Sequence, residues 1–387
     1  MISILVHTLE FALWAVLAVS VAYVAFFAFA SLFPKKRHAP GTDRSQYRFV
    51  VFFPAYHEDS VIRHSVEAFL RQDYPRELFQ LAVISDHMSA ATNEWLRQQP
   101  IVVHQPVFER SSKAKALQYA VSHTADGFDY AVILDADNMV APDFLRRLNS
   151  LCANGHQAIQ CHRTAKNTDN GIAALDGASE EINNTIFRRA HNRIGLSSAL
   201  IGSGMCFGYE WFRHNVSQLT TAGEDRELEA LLLRQRIHIH YADDILVFDE
   251  KVSSTDNFQH QRLRWMTAQV QCLLAMLPYL PKAVATGNID YIDKTLQQAL
   301  IPRSMLLMLL AVMALFMSVA FPSWCAKWWA LLFLLVVSLY IAIPRRLRSH
   351  ALFSKLLLLP RLVWRMLANV MHINVSNTDF IHTTHNQ

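Results

Sequence analysis

The segment Ala131-Val132-Ile133-Leu134-Asp135-Ala136-Asp137 runs four apolar residues directly into two carboxylates. An unbroken apolar run of that length reads as a strand buried on both faces. The acids then fall beyond its C-terminal end, where an open α/β sheet binds its ligands. Two carboxylates held close repel each other unless a cation lies between them. A hard divalent ion shared with phosphate oxygens, Mg2+ or Mn2+, meets that need. Asp also favours plain turns, so an isolated D-x-D reads first as a solvated turn after a strand. The surrounding sequence has to choose.

Outward from this segment, the runs at 49–54, 81–85 and 101–104 repeat the strand pattern, and 60–71, 113–122 and 143–151 carry apolar residues at helical spacing. Strands alternating with amphipathic helices predict an α/β fold built from parallel crossover units. Pro54, Ala55, Tyr56, His57, Glu58 and Asp59 close the first strand and open a helix, a place for a nucleotide or for simple helix capping. Asp86 closes the second strand and Lys113 opens a helix after the third; each alone is also an ordinary surface charge.

Beyond this region the chain turns apolar, in keeping with its 52% hydrophobic content. Residues 11–34 carry no charge and are followed by Lys35, Lys36 and Arg37. About 24 residues at 1.5 Å each reach roughly 36 Å, enough for a hydrocarbon core of about 30 Å. Charges after the apolar run mark an anchor rather than a cleaved leader, and they place the adjoining domain in the cytoplasm. Residues 304–344 read as a hairpin of two spans, broken by Lys327 and a turn at Phe321, Pro322 and Ser323, with Trp324, Trp328 and Trp329 suited to an interface. Arg345, Arg346 and Arg348 close it on the same side as the Lys35 cluster. Residues 351–372 mix Leu356 to Leu359 with Arg361 and Arg365, the pattern of an interfacial helix, with a fourth crossing as the alternative. Residues 258–280 place Leu263, Met266, Val270, Leu273 and Leu277 on one helical face and predict a second interfacial helix.

Five scattered cysteines show neither a disulfide framework nor a thiolate metal site. A net charge of +4, partly spent on membrane flanks, leaves no footprint for nucleic acid. Gly202, Gly204 and Gly208 imitate a dinucleotide fingerprint but stand far from the first strand, so a loop near the acceptor is the better reading. His238 and His240 lack a third ligand at a telling spacing. His162, Arg163 and Lys166 form a basic stretch after a strand at 158–161, open to a phosphate contact.

Further on stand Gly223, Glu224, Asp225 and Arg226, then Gln261, Arg262, Leu263, Arg264 and Trp265. With Pro54 to Glu58, Asp86, Lys113 to Leu117, Asp135 to Asp137 and Gly202 to Gly204, they form an ordered set that resembles the membrane-bound family 2 glycosyltransferases, the group of cellulose, hyaluronan and chitin-oligosaccharide synthases. The resemblance covers about residues 48–270 and the flanking apolar helices. His57, Ser85 and Gly223 depart from the residues common there. The resemblance implies a GT-A (Rossmann-like) cytoplasmic domain over 48–257, an anchor at 1–37, an amphipathic helix with the Q-x-x-R-W motif at 258–282, a transmembrane hairpin at 299–344 and an interfacial helix and tail at 345–387. In it, Pro54, Ala55, Tyr56, Glu58, Asp86, Lys113 and Asp135 would hold a nucleotide-sugar, UDP-linked, while Asp135 and Asp137 hold Mg2+ or Mn2+. Asp225, with Glu224, would be the catalytic base, and Gly202, Ser203, Gly204, Gln261, Arg264 and Trp265 would meet a saccharide or lipid-linked acceptor. One base opposite the leaving group implies inversion and a β-glycosidic bond, made at the inner membrane face. A polyprenyl-phosphate sugar transferase and a catalytically silent nucleotide-sugar-binding component of an export complex are the alternatives.

Overall fold

Phe49 to Phe53 are completely buried, and they alternate between two apolar clusters: Phe49, Val51 and Phe53 join one, Val50 and Phe52 the other. Successive side chains of a strand leave opposite faces, so this strand is the middle of three layers. The computed structural model describes residues 2–34, 45–167, 171–221, 223–251 and 255–348. The Lys35 to Arg37 cluster and the 351–372 segment lie outside these described residues.

In chain order the elements are α1 (Ile2–Ala30), β1 (Phe49–Tyr56), α2 (Ile62–Phe69), β2 (Phe79–Asp86), α3 (Ala90–Arg97), β3 (Val102–His104), α4 (Lys113–Ser122), β4 (Tyr130–Ile133), β5 (Met139–Val140), α5 (Phe144–Ala153) and β6 (Ala158–Ala165). Next come α6 (Gly171–Asn183), a π-helical segment (Asn184–Ala190), α7 (His191–Ile194), β7 (Met205–Gly208), α8 (Tyr209–Asn215), α9 (Glu224–Arg234), β8 (Ile239–Asp249), α10 (Thr255–Met276), α11 (Leu280–Ala285), α12 (Ile289–Ala299), α13 (Arg303–Ala320) and α14 (Cys325–Ala342). The sheet runs β3-β2-β1-β4-β7-β6-β8-β5. One face is covered by α2, α3 and α5 through Val66, Leu96 and Leu148; α4, α8 and α9 cover the other through Leu117, Phe212 and Leu232.

The parallel crossovers expected from sequence occur in β3, β2, β1 and β4. The other half is mixed: β7 is antiparallel to both β4 and β6, and β5 is antiparallel to β8. Apolar spacing carries no strand direction, and what reverses β7 is a turn through Gly202 and Gly204, both at positive φ. A side chain at Gly204 would also strike Val247 at 2.9 Å. β6 extends past the expected residue 161 to Ala165, with a register irregularity between Cys161 and His162. Its basic residues are committed to buried carboxylates: Arg163 Nε donates to Glu180 at 2.6 Å, and His162 lies 3.1 Å from Glu181 Oε1 and 3.0 Å from the Asp243 carbonyl.

Three helical stretches among the described residues, at 7–30, 303–320 and 322–342, are long and apolar enough to cross a membrane. They pack together through Leu17, Val21, Leu310, Ala314, Leu331 and Leu335. Glu10 answers Lys327, whose Nζ donates to it at 2.6 Å, and Trp328 Nε1 donates to the same carboxylate. Trp328, in the first turn of α14, is buried between the helices, while Trp329 faces outward. The bundle meets the sheet domain through Ile186 and Ala190 of the π segment and through Tyr23, whose hydroxyl donates to Asp293 at 2.7 Å and lies 3.0 Å from His191. The expected helix at 258–280 forms as α10, whose buried residues among those described from 261 on are Met266, Ala268, Cys272 and Met276, and Leu277 just beyond it is exposed. Cys272 and Met276 join the core of the sheet domain, and of the stripe read from periodicity Met266 alone is buried among the described residues.

Burial opposes a charge on His162, but Asp243 and Glu181 outweigh it and push the imidazole up from 6.5 to about 9. A raised histidine pKa gives stabilisation that is complete below the unfolded value and lost as the pH climbs through the folded one. The advantage of wild type over His162→Gln should therefore shrink by about 2–3 kcal/mol between pH 6.5 and just above 9, read as a closing gap in Tm. A gap that does not change with pH would refute the pairing.

Candidate functional site

β1 and β2 end in register, Tyr56 opposite Asp86, and the next residue of each, His57 and His87, turns sharply with φ of 55°. Such values are uncommon outside glycine and mark a tightly constrained loop pair at the sheet edge. His57 N–H donates to the Asp86 carbonyl at 3.2 Å, and His87 Nδ1 lies 2.5 Å from the Asp86 carboxylate. The rings of Tyr56, His57 and His87 stand 4.5 to 5.5 Å apart and form an aromatic rim there. Glu58, Asp86, Pro54, Ala55 and Tyr56 all line one cavity of about 580 Å³.

After β4 the chain makes a tight polar turn. Asp135 N–H donates to Asn138 Oδ1 at 3.0 Å and to Ser203 Oγ at 3.3 Å, and the Ser203 hydroxyl itself donates to Asn138. Asn138 Nδ2 donates to Asp137 at 3.1 Å and to Asp249 at 3.2 Å. Asp249 reaches the site because β5, which begins one residue after Asn138, pairs with the end of β8, Met139 opposite Phe248. Asp135, Asp137 and Asp249 each bring a carboxylate oxygen within 4.8 Å of the others. Three hard oxygen donors at this spacing fit Mg2+ or Mn2+. Asp249 was missed in sequence: an acid after an apolar run was visible, but its partner strand was not.

Lys113, at the start of α4, ties this cluster to the next. Its Nζ donates to Asp135 and to the Gly202 carbonyl at 2.6 Å, and lies 3.5 Å from Glu224. A Cβ at Gly202 would stand 3.7 Å from both Glu224 and Asp225, so the loop backbone and both acids share one space. Glu224 and Asp225 are the first residues of α9, where the helix dipole favours negative charge. Burial, offset in part by Lys113 and reinforced by Asp225 and Asp135, pushes Glu224 up to about 7. The helix is held by Glu229, which accepts from Leu200 N–H at 2.9 Å and pairs in the interior with Lys294 of α12.

Gln261, Arg264 and Trp265 line the same cavity from α10. Burial draws the Arg264 guanidinium below its usual range, with Glu224, Asp135 and Asp225 opposing that shift. Arg262 pairs with Asp176 and lies 4.6 Å over the Trp265 ring. Of the three loop residues expected near an acceptor, only Gly202 lines the cavity. Ser203 and Gly204 correct that expectation: Ser203 is fully buried and braces the D-x-D turn, and Gly204 packs on Val247. If Asp249 completes an ion site, Asp249→Asn should weaken Mn2+ binding by roughly tenfold or more, measured by EPR of the free ion. Unchanged affinity would remove Asp249 from the site.

An open sheet with acidic loops at the C-terminal edge of its parallel half is the GT-A class of fold. The same fold occurs in the mannosyltransferase PcManGT from Pyrobaculum calidifontis, solved in complex with GDP-Man and Mn2+, at 18% identity over 85% of this chain and 97% of that one, with a TM-score of 0.55. Weaker likeness is found to S. aureus TarS 1-349, at 13% identity over 84% of this chain and 90% of that one, TM-score 0.45. The family model described as glycosyltransferase like family 2 matches residues 46–268, more than half of the sequence. The chain belongs to glycosyltransferase family 2. No curated protein matches it.

Proposed function

We propose that the protein is an inverting transferase that moves a sugar from a UDP-sugar to a saccharide or lipid-linked acceptor at the cytoplasmic face of a membrane, forming a β-glycosidic bond in glycan synthesis. One observation carries this reading: Glu224 and Asp225 share a cavity with the Asp135, Asp137 and Asp249 cluster, and Lys113 links the two groups. Glu58 and Asp86, beside the Tyr56 rim, would receive base and ribose. Asp135 and Asp137, with Asp249, would hold Mg2+ or Mn2+, which when bound offsets the charge of the departing diphosphate. Lys113 would exchange its carboxylate contacts for diphosphate oxygens, and Arg264 would add a second cation there.

On the acceptor side, a hydroxyl is a weak nucleophile and needs a base within hydrogen-bond reach. Glu224, pushed up to about 7, stays largely protonated below neutral pH, which leaves Asp225 to take the proton. A single base facing the leaving group supports direct displacement and inversion at the anomeric carbon. Trp265 offers a flat apolar face to a sugar ring and Gln261 a polar contact. Three apolar helices joined to the catalytic domain support membrane attachment and the kinship with cellulose, hyaluronan and chitin-oligosaccharide synthases.

The test is nucleoside diphosphate release by purified protein in lipid, across UDP- and GDP-sugars. Asp225→Asn should lower turnover by roughly 10²–10⁴ while retaining nucleotide binding; turnover near wild type would defeat the base assignment. EDTA should abolish transfer and added Mn2+ or Mg2+ restore it, and full activity in chelator would remove the ion role of Asp135 and Asp137.

A further inference from the structure

The cavity does not stop at the sheet edge. Its far wall is made by Val24 of α1, Leu307 of α13, and Leu339 and Ile343 at the end of α14, so it runs to where the three apolar helices meet the catalytic domain. Arg188 and Arg303 line the same cavity as that apolar wall and the carboxylates.

Among the described residues, these two guanidiniums have only neutral hydrogen-bond partners. Arg188 is buried in the π segment and donates to the Ala199 carbonyl at 3.2 Å and to Asn184 Oδ1 at 3.0 Å. Arg303, the first residue of α13, donates to the Ser179 carbonyl at 3.0 Å and to its hydroxyl at 3.4 Å. The carboxylates nearby are already matched: Asp176 by Arg262, Glu180 by Arg163 and Lys251, Glu229 by Lys294. Arg303 instead feels the like charges of Arg262 and Arg188. Burial draws the Arg188 guanidinium below its ordinary range, with Tyr241, Glu180 and Glu229 only partly restoring it. Guanidiniums packed without an anion are costly, and the planar fork matches phosphate in two-point contact. The wider π turn, a geometry frequent at functional sites, carries Arg188 within the cavity wall.

We propose that Arg188 and Arg303 bind the phosphate of an isoprenoid-like or acyl lipid acceptor whose chain lies along Val24, Leu307, Leu339 and Ile343. This deepens, and rests on, the reading of the cavity as a transferase site. Charge surplus and apolar wall adjoin in one cavity, which is the complement of a lipid phosphate and of neither a neutral sugar nor a free anion.

The test is binding, with wild type in neutral phosphatidylcholine nanodiscs and radiolabelled farnesyl phosphate, displaced by unlabelled farnesyl phosphate, farnesol or inorganic phosphate. Farnesyl phosphate should displace at concentrations roughly tenfold or more below either competitor. Arg188→Gln and Arg303→Gln should each weaken its binding by about tenfold, and Arg303→Lys, which keeps the charge and loses the fork, should weaken it less, with gel-filtration profiles reporting folding. Farnesol displacing equally well would overturn the phosphate site, and inorganic phosphate displacing equally well would overturn the lipid. Because turnover is not the readout, absent UDP-sugar turnover would sink the transferase reading and leave this result standing, and the reverse holds.

Discussion

Five carboxylates, Asp135, Asp137, Asp249, Glu224 and Asp225, face one cavity, and the Lys113 ammonium is the charge that lets the two sets coexist. Like charges crowded in a partly dry space repel strongly, so each acid must find a cation, a backbone N–H or a proton. Asp135 has Lys113, Asp137 has the Glu250 amide at 3.0 Å, Asp249 has Lys251 at 2.7 Å, and Glu224 is held toward its protonated form. In the proposed reaction a diphosphate would take over the Lys113 contacts.

The same logic explains how rigidly the site is mounted. Asn138 and Ser203 tie the turn after β4 to the loop before β7, and Glu229 and Lys294 tie α9 to α12. α12 in turn meets α1 through Asp293 and Tyr23, and the π segment packs Ile186 and Ala190 into the apolar bundle. The acids of α9 and the three apolar helices are thus joined through one chain of packed contacts. Such a mounting suits the proposed chemistry, in which an aqueous donor would meet a membrane-held acceptor.

Much of this was legible in the residues. Apolar runs ending in Asp86 and Asp135 announced a parallel sheet edge, because both the period and the placement of polar groups at strand ends are local properties. The long uncharged runs announced the apolar helices for the same reason. Strand direction was not legible: β7 is antiparallel because Gly202 and Gly204 turn the chain, and four apolar residues carry no arrow.

Chemical identity, then, resided in the chain itself: which acids, which basic residues and which aromatic residues stand at the ends of which apolar runs. Partnership did not. Asp249 joined the aspartates through a two-residue strand pairing, Ser203, expected near an acceptor, became a buried brace, and Trp328 packed between helices against Glu10. Arg188 and Arg303, far apart in the chain, came to one wall with no acid among the described residues bonded to either. Such outcomes depend on contacts between distant segments, whose energies are summed only when the chain has folded, and no window of neighbouring residues contains them.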